Sequence, residues 1–463
     1  MQINPSPSNS RGSLQKLSRK FLAVPLAAGL IFAASAWAHR RAAEPGDPHS
    51  SHLTQDLTGS VPTHAGDRIR LSTELGSIVV HTQDADRVDY HIHLETDASQ
   101  RDAQQLLKSF TVSARQTNDG VSLKAEAPGR HWTGRLWATL ELTIPKNVGL
   151  DVSTGGGNID AIEVDGRVTF STAGGNITTG SIGGPARLET GGGNIVAKTV
   201  SGELVANSGG GHITIGSVAG NATLHTSGGH IRVNSVQGTA HLQTDGGNIT
   251  LEHSGAELTA ETGGGEIEIG EAAGLVRAKT GGGGIRVVRV FGPTNLETSG
   301  GSIYLTQVDS PVKASTSDGG ITAWFVRPPK GSGTCDLQSS EGDIVVHLPR
   351  EIPITIDAMV QKGDEHRVII DPAFPLKVSY DDSTKGAHTM RAQGELNGGG
   401  DLLRLRTVAG NIRFVLSDTG KQTEIYKQQM SQLQQQMQKL QMEMQLPAGS
   451  PDEDQGTGET SHP

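Results

Sequence analysis

The chain has 463 residues, of which 34% are hydrophobic, 3% aromatic and 62 glycine, and its net charge is −10. So low an apolar content argues against an ordinary globular core and leaves either disorder or a thin core repeated economically. The acidic balance speaks against nucleic acid as a partner. The single cysteine, Cys335, rules out an internal disulfide framework and a cysteine-type zinc spacing, and reads as a packed or idle thiol.

From the N-terminus, Arg11, Lys16, Arg19 and Lys20 precede an apolar run over residues 21–34 and the small-x-small step Ala36-Trp37-Ala38. Residues 1–38 therefore read as a signal peptide or, uncleaved, as an N-terminal membrane anchor. Either way the remaining chain is expected outside the cytoplasm. Residues 39–65, rich in His, Pro, Ser and Thr, read as a linker. Alternating apolar and polar runs mark residues 66–152 as strands around a short helix near residues 103–110, an N-terminal β cap for a repeat array.

Over residues 153–345 isoleucine recurs at 159, 177, 195, 213, 231, 249, 267, 285, 303 and 321, an unbroken 18-residue period. Glycine stands two places before each isoleucine, from Gly157 to Gly319. Threonine or serine stands thirteen places after, from Thr172 through Ser208 to Thr316. Positions 0 and +2 of the repeat, and +9 and +11, are mostly apolar around a polar residue, the alternation of strands with one buried face. Two short strands per repeat, joined by glycine turns, describe an all-β fold: a β-solenoid, parallel β-helix-like, of 18-residue coils. Glycine is expected to supply positive φ in the turns. The threonine hydroxyls, and the amides of Asn158, Asn176, Asn194 and Asn248, are expected to hydrogen-bond along the stack as ladders.

Pro145, Val148, Leu150 and Val152 match Pro349, Ile352, Ile354 and Ile356 at a constant offset of 204 residues. On that basis residues 346–418 are expected to form a second, degenerate β-repeat module closing near Ile412. Residues 419–446 read as a coiled-coil-like α-helix, with Tyr426, Met430, Leu433, Met437, Leu440 and Met444 in one stripe. That stripe fits a homo-oligomer seam or a helix docked on the solenoid. Residues 447–463 read as a disordered acidic tail.

The G-G-N-I unit, entered through Leu142-Thr143-Ile144-Pro145 and closed by Gly410-Asn411-Ile412, resembles the bacterial putative-adhesin family of glycine-rich β-strand-repeat proteins, a domain of unknown function. The resemblance spans about residues 70–415. It implies an extracytoplasmic β-solenoid with an adhesin-like role and brings no catalytic motif.

No catalytic residue, cofactor or metal site is expected from the residues themselves. RTX-type calcium repeats need an aspartate that the G-N-I and G-H-I turns lack. His212 and His230 share a column in adjacent coils and are expected to replace asparagine in the amide ladder rather than to ligate. His91 and His93 alternate on one strand face and are expected to be solvent-exposed. The outward column of Asp160, Thr178, Val196, Thr214, Arg232, Thr250, Glu268, Arg286 and Tyr304 places no two carboxylates on adjacent coils, against sugar acid–base chemistry. The expected function is a non-enzymatic exported scaffold or binding protein of the cell envelope, its partner an unknown surface ligand or envelope protein. The alternatives are a β-helix polysaccharide-active enzyme and an envelope signalling accessory.

Overall fold

The computed structural model describes residues 52–127, 134–327, 333–362, 370–371, 373–384, 387–417 and 419–443. The signal or anchor segment and the acidic tail lie outside the described residues. Each regular coil contributes one strand to each of two parallel sheets. Ile177–Ile182 and Ala186–Thr190 form one such coil, and the next 18 residues repeat it as Ile195–Val200 and Leu204–Ser208. Register follows the period, with Ile177 opposite Ile195 in the first sheet and Leu188 opposite Ala206 in the second. The isoleucines of the column are fully buried, and so are the residues that extend it: Ile78 pairs with Ile159, Ile344 with Ile321, and Ile412 with Ile344. One coil buries few apolar atoms, but stacking joins them into a continuous core.

The turn glycines of the column from Gly157 to Gly319 do not supply positive φ. Among the described residues, glycines with positive φ are Gly66, Gly76, Gly120, Gly134, Gly398 and Gly399, none of them in the column from Gly157 to Gly319. The reason for glycine there is close approach. A Cβ on Gly193 would fall on the carbonyl of Gly175 in the coil below, and the same clash recurs at Gly211 and Gly229. The threonines also act differently from a hydroxyl ladder. Thr190 donates from Oγ1 to the Gly175 carbonyl at 2.7 Å and accepts the Gly193 N–H at 3.1 Å. Its neighbours Thr172, Ser208, Thr226 and Thr244 repeat the donation to the coil below. These hydroxyls clip one glycine turn to the next instead of bonding to each other, because the turn backbone offers a nearer acceptor.

Both ends break sequence order in the same way. The coil of Gly149–Thr154 and Ile159–Val164 does not pair with the strands just before it, Gly120–Glu126 and Leu136–Pro145. Arg68–Thr73 and Ser77–Gln83 lie in between, pairing on both sides. At the other end, Leu402–Thr407 and Ile412–Ser417 slide between Cys335–Ser339 with Ile344–Pro349 and the later strands Ile354–Lys362 and Ile370–Asp371. The two segments related by the 204-residue offset are the links that step over these inserted coils. The described strands within residues 346–418 thus join the same two sheets.

Antiparallel strands then end the parallel stack and cover its edges. Arg87–Thr96 pairs with Leu136–Pro145 on one side and Leu53–Pro62 on the other. Part of the stretch read as a linker is therefore a sheet strand; its partner strand supplies the hydrogen bonds that its composition did not advertise. At the far end Ala387–Leu396 pairs with Ile354–Lys362 and Lys377–Thr384. Helix α1 (Gln100–Ser109), capped by Ser99, buries Ala103 and Leu106. Helix α2 (Thr419–Glu443) follows the last strand.

Candidate binding surface

The position before each isoleucine forms a ladder along one edge of the first sheet. Asn158 Oδ1 accepts the backbone N–H of Asn176 at 2.8 Å, and Asn176 Oδ1 that of Asn194 at 2.7 Å. His212 and His230 continue it with Nδ1: His212 accepts the His230 N–H at 2.9 Å, and His230 the Asn248 N–H at 2.8 Å. The two rings stack with centroids 4.9 Å apart and planes 4° from parallel. Burial lowers both pKa values from the ordinary histidine range, and nearby charge, including Arg232, lowers them further. Each neutral ring is thus matched to its role as an acceptor.

A second group of histidines lies on the outer face of the N-terminal cap. Asp56 Oδ1 faces His91 Nε2 at 3.0 Å and His93 Nδ1 at 2.8 Å, and Glu141 Oε2 faces His91 Nδ1 at 3.4 Å. Burial pulls the His91 pKa down, but hydrogen bonds to Asp56 and Glu141 outweigh it and leave the value raised. Strand pairing explains the cluster, since Asp56 sits opposite His93 and His91 opposite Glu141. It is a hydrogen-bonded seam holding the edge strand Leu53–Pro62. Among the described residues no group of three or more His, Cys, Asp or Glu side chains is arranged to hold a metal ion.

Helix α2 lies against the flank of the solenoid. Met430, Leu433 and Met437 are buried. Tyr426 donates to Glu271 at 2.5 Å and Thr306 to Gln429 at 2.5 Å. Beneath the helix the third residue after the isoleucine is buried in four successive coils, as Glu252, Gly270, Val288 and Thr306, whereas Ile162 in the same column is 63% exposed. Gly270 is needed there: a Cβ would strike the Glu252 backbone carbonyl of the coil below at 2.4 Å and would also crowd Leu433 at 2.7 Å. Asp309 is buried between Arg289 at 3.9 Å and Arg327 at 3.4 Å, and Arg289 lies 4.4 Å over the Phe291 ring. Met430, Leu433 and Met437 of the stripe read as a possible oligomer seam are therefore covered by this chain's own solenoid; the Leu440 side chain and Met444 lie outside the described residues. Among the described residues no helix is long and apolar enough to cross a membrane.

Cys335 is buried and its thiol is pushed up to about 11, chiefly by burial, which disfavours the thiolate at neutral pH. The surface carries shallow depressions. One of about 350 Å³ on the second sheet is lined by Ser315, Ser317, Gln338, Ser340, Gln361 and Arg406. Another of about 330 Å³ lies on the first sheet at Gly284, among Glu266, Glu268, Arg286 and Tyr304. Reading columns one at a time passes over the second, because it arises where two columns and three coils meet.

Residues 67–357 match the family model described as Toastrack DUF4097. No curated protein matches the chain. Among solved structures it is similar to a "putative cell adhesion protein" from Clostridium sporogenes, at 7% identity and TM-score 0.17 over 79% of this chain and 100% of that one. It is also similar to a "putative adhesin" from Bacteroides fragilis, at 15% identity and TM-score 0.24 over 54% and 96%. A third is a "putative lipid binding protein" from Parabacteroides distasonis, at 12% identity and TM-score 0.20 over 78% and 96%. The family model covers well over half of the sequence, and the chain belongs to the Toastrack DUF4097 family.

Proposed function

We propose that the protein is a non-enzymatic exported scaffold of the cell envelope, which displays the outer faces of its solenoid to a surface ligand in the manner of an adhesin. One observation carries this reading: the repeated polar side chains are spent on holding coils together. Thr190 and its equivalents clip glycine turns, and Asn158, Asn176, His212 and His230 accept backbone N–H groups. What remains for solvent is a set of outward side chains in strict register, such as Arg187, Val205 and Thr223 on the second sheet, repeated about every 4.8 Å. Such a surface suits an extended or repetitive ligand bound by many weak contacts.

The test uses the full chain. Immobilised protein is offered intact bacterial cells and a panel of envelope polysaccharides, and the supernatants are analysed for shortened products. Retention of cells or polymer without product supports the proposal. Reproducible product release overturns the non-enzymatic reading, and failure to retain any cell or polymer overturns the display reading. Export is tested separately with a periplasm-dependent phosphatase fused after residue 65; an inactive fusion overturns it.

A further inference from the structure

The ladder at the edge of the first sheet lacks a side chain at two coils, Gly284 and Gly320, and the depression lies at the first of them. From Asn158 to Asn248 each coil fills the position with an asparagine or histidine, and Glu266 comes next. One coil further on the residue is Gly284, which has no side chain to place there. The space left is a depression of about 330 Å³, within the range of about 300–1,000 Å³ typical of small-molecule sites.

Its walls come from three successive coils. Glu266 and Glu268 stand below, Arg286 beside the gap, and Ser302 and Tyr304 above. Glu268, Arg286 and Tyr304 are in direct register, Glu268 opposite Arg286 and Arg286 opposite Tyr304. The Arg286 guanidinium lies 5.2 Å over the Tyr304 ring and its Nε is 4.0 Å from Glu268 Oε1. Tyr304 remains 38% exposed. Burial raises the Glu268 pKa, Arg286 opposes that shift and Glu266 adds to it.

These groups define a ligand. Two carboxylates and one guanidinium leave the site with a charge of −2 + 1 = −1, which disfavours anions. The carboxylates only accept and the guanidinium only donates, so together they match groups that do both, as vicinal hydroxyls do. A lysine or arginine side chain is a pure donor and would leave Arg286 facing a like charge. The tyrosine ring, one face of which carries the Arg286 guanidinium, adds apolar surface and a hydroxyl. We propose that the notch at Gly284 binds one neutral pyranose unit of a surface glycan. The proposal rests on the display reading above and gives it a ligand class.

The full chain is titrated with methyl α-D-mannopyranoside, methyl β-D-glucopyranoside and methyl β-D-galactopyranoside, followed by saturation-transfer NMR. Transfer to at least one glycoside is expected. Gly284→Asn refills the ladder position and should weaken binding at least tenfold. A Cβ there would lie 3.1 Å from the Ser302 carbonyl, so Glu268→Gln and Tyr304→Ala, which add no atoms to the turn, serve as second variants with the same expected loss. No transfer to any glycoside, binding undiminished in all three variants, or binding of L-arginine methyl ester in place of the sugars overturns the proposal. Cell retention that persists while glycoside binding fails removes the notch alone. Glycoside binding that persists while cell retention fails removes the display reading alone.

Discussion

The Nδ1 of His212 accepts the backbone N–H of His230 from the coil above, at 2.9 Å, and the two imidazoles lie face to face. A proton on Nδ1 would abolish that bond and set two like charges against each other beside Arg232. Burial has already lowered both pKa values. The unfolded chain, with histidines near 6.5, then binds protons more readily than the folded one. The stabilisation is complete above about pH 6.5 and is lost as the pH falls through the lower folded values. The N-terminal cap has the opposite sign. His91 is raised, so its contribution is complete below about pH 6.5 and is lost as the pH rises through its folded value. Hydrogen exchange between pH 7.5 and 5 should show residues 213–249 losing protection on acidification while residues 53–62 and 87–96 gain it. His212→Asn with His230→Asn should flatten the first trend and leave the second.

Adjacent glycines in one turn should behave differently. Nothing lies within 4 Å of a Cβ on Gly192, whereas a Cβ on Gly193 would strike the Gly175 carbonyl. Neither residue has a positive φ. Gly192→Ala should therefore be neutral or stabilise by about 0.4–1 kcal/mol through the unfolded chain. Gly193→Ala should destabilise by about 1–3 kcal/mol or more, since backbone must move. Denaturant midpoints of the pair check this, and equal effects would refute close approach as the reason for glycine.

The coil was legible in the sequence because period and chemistry agree: a buried isoleucine every 18 residues sets register without help from distant segments. The ends were not legible in that way. Ile78 and Ile412 lie in the same column as Ile159 and Ile344, but they arrive from 81 and 68 residues away, and no local pattern announces an inserted coil. The 204-residue similarity did signal these links, though not that they vault a coil. The strand Leu53–Pro62 was hidden by its polar composition, since only Val61 and little else of it is buried. The notch at Gly284 is an absence in one column, visible only when neighbouring columns are placed around it.

Among the described residues, Thr179 is one whose buried polar atom has no hydrogen-bond partner. It occupies a buried position that is Ala197 and Ile215 in the next two coils, and its Oγ1 has no hydrogen-bond partner. A buried hydroxyl left unpaired costs about 1–3 kcal/mol. Thr179→Val keeps the shape and removes that cost, so the protein should gain about 1 kcal/mol. A loss of stability on urea unfolding would show that the hydroxyl finds a partner in solution.

The docking of α2 makes a prediction about both stability and assembly. Leu433 and Met437 are almost fully buried, and the solenoid residues under the helix depart from their column to receive it. A helix of 25 residues with a methionine-rich seam is marginal by itself, so the solenoid flank holds it in place. Truncation after Ser417 should expose Val288 and Gly270 and lower protection in the coils between residues 249 and 308, leaving coils nearer the N-terminus unchanged. Leu433→Ala should reproduce part of this, at about 2–4 kcal/mol for a buried leucine. The full chain should have the mass of a monomer by light scattering at micromolar concentration, because Met430, Leu433 and Met437 are already covered. The truncated chain, with that flank open, should associate as concentration rises. A full-length dimer that becomes monomeric on truncation would mean instead that the stripe pairs with another copy and that the flank is not its seat.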